Sequence, residues 1–489
     1  MAPDAIALEA GERRWSFAEL DRAADRLAGR LRQAGAGQGT AVAVVLPAGA
    51  AAVVGVHAVP RCGAAVAPAN ARWSEPELAE HLETLRPAAI LCRSDLRLPV
   101  EAADRGVVDG ILDPSGRAGE PGRSLSVRVP AARPRADLAD AHSVIWTSGT
   151  AGRARGVRLG LPGHLASARS VIRRLNLGPE DRWALSLSPA HVGGLALILR
   201  ASVAGSRVVA VGDQFDAALL ARLIDEDRVT HASIVPIMLR RLLQAREGRG
   251  RPPRRLRCLL VGGAPLAPDL LKRARKLGYP IAATYGLTET ASGVATAPPE
   301  LVERKPGTVG PPLDGTRIRI AADGEIRVKG PTLMLGWLGG EGRASGSGVW
   351  DEDGWLRTRD TGRLDGQGDL WVTGRSDATI VTGGVTVAPE PIEAILEAHP
   401  GIAEACVLGL PDEEWGERVG AAVVPVAPEI LDRRALAEHL RTRLSGPRRP
   451  RAWVFLPAIP CNANGKPDRV ALRRLLREAE SREPEEESC

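Results

Sequence analysis

The chain has 489 residues, enough for two or three domains, with an ordinary apolar fraction of 44%. Its 65 Lys and Arg against 59 Asp and Glu leave a net charge of +6 spread along the chain, and only 3% of residues are aromatic; this argues against a nucleic-acid track with base-stacking platforms. The six cysteines (Cys62, Cys92, Cys258, Cys406, Cys461, Cys489) form no Cys-x-x-Cys pair, which argues against a zinc ribbon or a disulfide framework.

The N-terminus lacks the basic and apolar regions of a secretory signal. Residues 41–60 carry no formal charge, but Pro47, His57 and Pro60 fit a strand, a turn and a buried helix better than a membrane span. A cytoplasmic protein is expected.

Ser16 with Glu19 three residues later predicts a capped helix running to about residue 31. Strands follow at 41–46, 64–68 and 88–92, with helices at 50–61 and 75–86. This alternation predicts an α/β fold with layered parallel or mixed sheets covered by helices. Residues 113–137 are rich in Pro, Gly and Arg and read as a loop. Further helices are expected at 163–174, 195–204, 217–226, 237–245 and 268–278, and strands at 183–189, 206–211, 230–235 and 256–261. From 307 to 374 the texture becomes short strands with Gly and Asp turns, a β-rich subdomain. Residues 375–489 read as a small, mobile α+β domain after a large domain of 1–374, with a charged tail from 478.

One stretch organises the chain: Ser143-Val-Ile-Trp-Thr-Ser-Gly-Thr-Ala-Gly-Arg-Ala-Arg-Gly-Val157. An apolar strand gives way to hydroxylated residues and glycines. Such a loop can wrap an anion with backbone N–H groups and hydroxyls, and Arg153 and Arg155 add positive charge. A polyphosphate fits it. It is not a Walker A loop, because no Lys-Ser/Thr closes it. An ordinary surface turn is the plain alternative. Farther on, Gly262-Gly263-Ala264 and Tyr285-Gly-Leu-Thr-Glu-Thr290 each follow a strand, where ligands of open α/β sheets bind. Glu289 offers the hard oxygen that magnesium prefers. Lys466, one of only five lysines, sits on a turn in Asn464-Gly-Lys-Pro-Asp468. Asp360 and Arg375 flank β-turns and could be an ordinary surface pair; His191 could be a core histidine.

Together these motifs resemble the adenylate-forming superfamily of acyl- and aryl-CoA ligases, luciferases and peptide-synthetase adenylation domains, in order over nearly the whole chain. The departures are Ala151, Ala154 and Arg155, where the superfamily usually has Thr, Pro and Lys, and Arg359, where it usually has Gly. The resemblance implies a phosphate cradle of Thr147, Ser148, Gly149, Thr150, Gly152 and Arg155. It implies that Gly262, Gly263, Ala264, Tyr285 and Gly286 border adenine and the acyl pocket, that Thr288 touches phosphate and that Glu289 holds Mg²⁺. Asp360 and Arg375 would contact ribose, His191 would gate the acyl pocket, Asp377 would be the hinge and Lys466 the catalytic lysine.

The expected reaction is ATP-dependent activation of a carboxylate, followed by thioester formation with coenzyme A. The segment 215–243, His191-Val-Gly-Gly-Leu-Ala196 and Tyr285-Gly-Leu-Thr-Glu-Thr-Ala-Ser292 look very like the o-succinylbenzoate–CoA ligases of menaquinone synthesis. That substrate carries two carboxylates, and Arg200 is the candidate cation for the one not activated, with a structural arginine as the alternative. The partners expected are therefore ATP, Mg²⁺, coenzyme A and a small carboxylate, with no nucleic acid and no membrane span; a homo-oligomer is left open. Another aryl- or medium-chain acyl-CoA synthetase, or a non-catalytic nucleotide-binding homologue, are the competing readings.

Overall fold

A computed structural model describes residues 2–100, 102–107, 125–147, 155–212, 215–339, 349–375, 380–382, 385–412, 415–427, 431, 433–444, 446–461 and 467–480. They fall into two compact units. The first gathers Met1–Gly263, Arg273–Ile318 and Val328–Leu356; the second gathers Ala264–Lys272, Arg319–Arg327 and Arg357–Cys489.

The first unit holds two eight-stranded sheets. In one, the strand order is Ser292–Ala297, Ile281–Leu287, Cys258–Val261, His231–Ile234, Arg182–Leu185, Arg207–Ala210, Ile6–Ala10, Arg13–Ser16. Its six inner strands are parallel and only its two edge pairs are antiparallel. In the other the order is Gly336–Trp337, Arg155–Leu159, Ser143–Thr147, Ala65–Ala69, Ala41–Val45, Ala89–Arg93, Leu125–Pro130, Ala102–Val107. Its central strands are apolar and buried along their whole length, as Ala41-Val-Ala-Val-Val45 shows, because both faces are covered.

Helices fill the space between the sheets. Ala50–Ala58 packs against strands of both sheets and against the helix Val192–Ala204, where His57 meets Ser202 at 3.2 Å. The first helix, Phe17–Gln33, begins at the expected capping box: Glu19 N–H donates to Ser16 Oγ (3.2 Å) and Ser16 N–H donates to Glu19 Oε2 (2.8 Å). Its apolar face, Leu20, Ala24, Leu27 and Leu31, is buried.

Two expectations need correction. The stretch 113–137 contains the strand Leu125–Pro130, paired antiparallel to Ala89–Arg93 and to Ala102–Val107. Its alternation is short and lies among prolines and arginines, so sheet pairing rather than local propensity decides it. The strand Arg155–Leu159 pairs antiparallel with Ser143–Thr147. Finally, residues 478–480, expected as tail, end the helix Arg469–Glu480.

In the second unit, Leu356–Leu364 and Leu370–Arg375 form an antiparallel pair. A five-stranded sheet is built on the long hairpin Ile402–Asp412 and Gly416–Pro425. Its alternating side chains serve two cores. Val407, Val419, Ala421 and Val423 pack with the helices Pro389–Glu397 and Arg433–Arg441. Cys406, Leu408, Leu410 and Ala422 pack with Leu472 and Leu476 of the last helix. No helix among the described residues is long and apolar enough to cross a membrane.

Two histidines in the first unit are locked in the neutral form. His164 is 2% exposed and bonds Ser143 Oγ through Nε2 at 2.8 Å, fastening the helix Leu161–Leu175 to the strand Ser143–Thr147. Burial, helped by His142, drops it from its ordinary 6.5 to about 3. His231 stacks on Trp183 and falls to about 3 for the same main reason, with Arg257 and Arg200 adding to it. The unfolded chain binds these protons below about pH 6.5 and the native state does not. Stability is therefore complete above 6.5 and falls as the pH drops toward 3. Urea unfolding from pH 7 to 4 should show this slope, and His164→Gln should flatten it by up to about 1.4 kcal/mol per pH unit. An unchanged slope would mean that His164 is not held neutral.

Candidate functional site

The phosphate loop is rooted in the first unit by the pairing of Thr147 with Arg155 across the hairpin. Thr147 Oγ1 donates to the Arg155 carbonyl at 3.4 Å. The Arg155 guanidinium lies 5.5 Å from the centre of the Trp337 ring, which holds the base of the loop in a fixed orientation. Gly156 is required here, because a Cβ would sit 2.9 Å from Leu338 Cβ. Ser148, Gly149, Thr150 and Gly152 lie outside the described residues.

Tyr285, Gly286, Thr288 and Glu289 come off the strand Ile281–Leu287, and residues Thr288–Thr290 form one 3₁₀ turn. Its shape is set by Thr290, a residue that the sequence reading did not single out. The buried Thr290 hydroxyl accepts from Leu287 N–H (3.0 Å) and lies 2.9 Å from the Ser292 carbonyl. Ala291 and Ser292 then take positive φ, +48° and +92°, so the chain reverses sharply into the antiparallel strand Ser292–Ala297. Gly286 leaves no room for a side chain: a Cβ there would lie 1.9 Å from the Ser292 carbonyl oxygen. Thr288 and Glu289 are thereby held half-buried just past the strand end.

The two segments are tied together through the backbone of residues 334–338. Met334 N–H donates to the Glu289 carbonyl (2.8 Å), Leu335 N–H to Arg158 (2.9 Å) and Leu338 N–H to Gly156 (2.7 Å). The loop root and the backbone of the Glu289 turn are thus tied to the same short run.

His191 follows the strand Arg182–Leu185, which lies between Arg207–Ala210 and His231–Ile234. The strand order reverses there, and in open α/β sheets ligands bind in the crevice at such a reversal. His191 is the first residue before the helix Val192–Ala204; its carbonyl accepts from Gly194 and Leu195, and its N–H donates to Ser188. The turn is tight: a Cβ on Gly194 would stand 2.2 Å from the Ser188 oxygen. Gly262 and Gly263 end the neighbouring strand Cys258–Val261. A Cβ on Gly262 would meet the Thr284 carbonyl at 2.8 Å, and Gly263 has φ +79°. Ala264 follows them and is grouped with the second unit.

The root of a glycine-rich loop lies in one sheet, and a half-buried glutamate and a histidine turn follow strands of the other. Comparison with known proteins gives it a family. Residues 1–338 match the AMP-binding enzyme family and residues 391–466 its C-terminal domain. The chain belongs to the AMP-binding enzyme family. A 2-succinylbenzoate–CoA ligase from Bacillus licheniformis is 33% identical over 483 residues, 95% of this chain and 96% of that one. The structure is similar to o-succinylbenzoate–CoA synthetase from Bacillus subtilis in complex with the acyl-adenylate intermediate, at a TM-score of 0.82 and 30% identity over 97% of this chain and 96% of that one. It is also similar to the same Bacillus subtilis enzyme bound to ATP and magnesium ion, at a TM-score of 0.81 and 29% identity over 98% and 97%.

The remaining candidates of this family member are distributed as follows. Arg200 lies on the same helix as the His191 turn, nine residues on and so roughly 13 Å along the axis. It is 3% exposed, its Cζ is 5.2 Å from the Trp183 ring centre, and its Nε and Nη1 have no hydrogen-bond partner among the described residues. Burial lowers it from 12.5 to about 10, so it stays charged at neutral pH. In the second unit Asp360 and Arg375 face each other across the strand pair, with Arg375 Nη1 3.1 Å from Asp360 Oδ1. Asp360 is 7% exposed and its N–H donates to Thr358 Oγ1. Arg359 before it has φ +61°, which explains why glycine is the usual residue there. Asp377 and Lys466 lie outside the described residues.

Glycines with no room should be intolerant of a methyl group. Gly286→Ala and Gly194→Ala should each lose about 1–3 kcal/mol in urea unfolding, because the obstacle is backbone. Gly366→Ala, where nothing lies within 4 Å, should be neutral. Equal behaviour of all three would show that the turns relax freely.

Proposed function

We propose that this chain activates o-succinylbenzoate with ATP and passes the acyl group to coenzyme A. The full-length relationship to a 2-succinylbenzoate–CoA ligase carries this reading. A carboxylate oxygen attacks the α-phosphorus, and pyrophosphate leaves to give the acyl-adenylate. The thiol sulfur of coenzyme A then attacks the acyl carbon, and AMP leaves with the bonding pair.

Each residue has a physical task in this scheme. Thr147, Ser148, Gly149, Thr150, Gly152 and Arg155 surround the triphosphate with N–H groups, hydroxyls and one cation. Tyr285, with the backbone of Gly262, Gly263, Ala264 and Gly286, borders adenine, and Thr288 donates to phosphate. Asp360 accepts from the ribose hydroxyls, and Arg375, paired with it, is the second ribose contact. Glu289 would hold a magnesium ion: it is a half-buried carboxylate just past a strand end, the hard oxygen donor that such an ion takes beside phosphate and water oxygens. Such an ion neutralises phosphate charge. His191 guards the entry for the acid. Lys466 brings an ammonium to the charge that builds on the α-phosphate, and Asp377 is the residue about which the small domain, taken as 375–489, turns between the two half-reactions.

Arg200 selects the acid. Its guanidinium lies against Trp183, at the start of the strand that leads to the His191 turn. A buried cation with two unpartnered nitrogens needs an anion, and the second carboxylate of o-succinylbenzoate supplies one. This favours a dicarboxylate over a plain aryl or medium-chain acid.

The test is pyrophosphate release with ATP, Mg²⁺ and a panel of acids, with and without coenzyme A. Release that requires o-succinylbenzoate, with coenzyme A consumed, is expected. Release with another acid alone would discard this substrate and keep the ligase, and no release with any acid would remove the ligase. Arg200→Met should lower kcat/KM for o-succinylbenzoate about 30-fold or more while changing that for benzoate little; equal losses would remove its role. Lys466→Ala should abolish adenylate formation but leave thioester formation from supplied adenylate largely intact.

A further inference from the structure

Trp337 lies in the two-residue strand Gly336–Trp337, at the edge of the sheet that carries the root of the phosphate loop. Backbone bonds fix it there: Leu335 N–H donates to the Arg158 carbonyl (2.9 Å) and Leu338 N–H to the Gly156 carbonyl (2.7 Å). In this register Trp337 stands opposite Val157, and Arg155 stands opposite Thr147. Side chains two apart on a strand share a face, so Arg155 is the diagonal neighbour of Trp337. The other face is given to packing, where a Cβ on Gly156 would stand 2.9 Å from Leu338 Cβ. Thr147, Arg155 and Trp337 thus share one face at the root of the loop.

Filling a sheet edge does not explain a tryptophan. The ring is half-buried, and its Nε1 is buried with no hydrogen-bond partner among the described residues. A buried indole N–H ordinarily finds an acceptor, and a leucine would fill the place without stranding a donor. What the ring alone supplies is its face. The Arg155 guanidinium lies over that face, 5.5 Å from its centre, within the range of a cation–π contact. Arg155 is exposed and its side chain has no ion pair or hydrogen bond among the described residues, so among them the ring is what orients it.

The same contact explains an arginine where the superfamily usually has lysine. A guanidinium is flat. It can lay one face on a ring while its N–H groups, which lie in its own plane, stay available to an anion. An ammonium is a compact point charge, and a donor turned into the ring is lost to phosphate.

We propose that Trp337 is a positioning residue for the polyphosphate: its ring face holds the Arg155 guanidinium so that the in-plane N–H groups serve the β- and γ-phosphates of ATP. This rests on the phosphate role given to Arg155 under the proposed function. Trp337 acts through Arg155 and not on the nucleotide directly.

The experiment is calorimetric titration of the full-length chain with ATP and Mg²⁺ and, separately, with AMP, with no acid present. W337M, which keeps bulk and loses the ring, should weaken ATP about fivefold, the worth of one cation–π contact. It should leave AMP unchanged, because AMP has no β- and γ-phosphates. W337F keeps a ring face and should stay within about twofold of wild type for both nucleotides. In an R155M background W337M should cost nothing further, because the group it orients is gone. Should W337M not fold, W337L carries the same expectations. Unchanged ATP binding by W337M, equal weakening of ATP and AMP, or the same loss in the R155M background would overturn this inference alone. A wild type that binds no ATP, or R155M that binds it as the wild type does, would overturn the phosphate role of Arg155 and this inference with it.

Discussion

The candidate site of the first unit depends on a short run of backbone hydrogen bonds made by residues 334–338. Through Met334 they hold the Glu289 carbonyl, and through Leu335 and Leu338 they extend the sheet that carries the phosphate loop. Each bond stabilises by only about 1 kcal/mol. Their effect is geometric. The root of a glycine-rich loop and the backbone of the Glu289 turn, from two different sheets, are held by one run, and Trp337 within it carries the Arg155 guanidinium. Preorganisation of this kind lets charged groups act on a polyphosphate without first reordering themselves.

The interior behind that edge is polar in an uneven way. His164 and His231 are buried and neutral, so they add shape and hydrogen bonds without charge. Arg200 is buried and remains charged. A cation kept in a low-dielectric interior costs several kcal/mol unless an anion or dipoles compensate it. The face of Trp183 offsets part of that cost. The glycines at 193 and 194 keep the start of the helix close to the turn that presents His191.

The second unit solves a different problem. Its hairpin strands are long, and alternate residues feed separate cores on the two faces. Carboxylates on the helix Pro389–Glu397 then reach strand amides. Glu393 is buried enough that desolvation pushes it up to about 7, which reflects how closely the helix is drawn onto the sheet. Arg359 tolerates a left-handed backbone, which costs roughly 1–2 kcal/mol, while its N–H is taken by Glu325 Oε1 at 3.1 Å.

The sequence by itself determined much of this protein. The strand–helix alternation of residues 41–93, the Ser16–Glu19 cap and the motif Tyr285-Gly-Leu-Thr-Glu289 are local in the chain, and local periodicity and turn chemistry read directly from residue order. Tertiary structure alone decided what depends on partners distant in sequence. The strand Leu125–Pro130 exists because Ala89–Arg93 offers it an edge. Thr290 matters because it folds a turn around residues on both sides, and Gly286 because Ser292 presses against it. Packing and hydrogen bonding between remote segments leave no period in the sequence, so such roles emerge only once the chain has closed on itself.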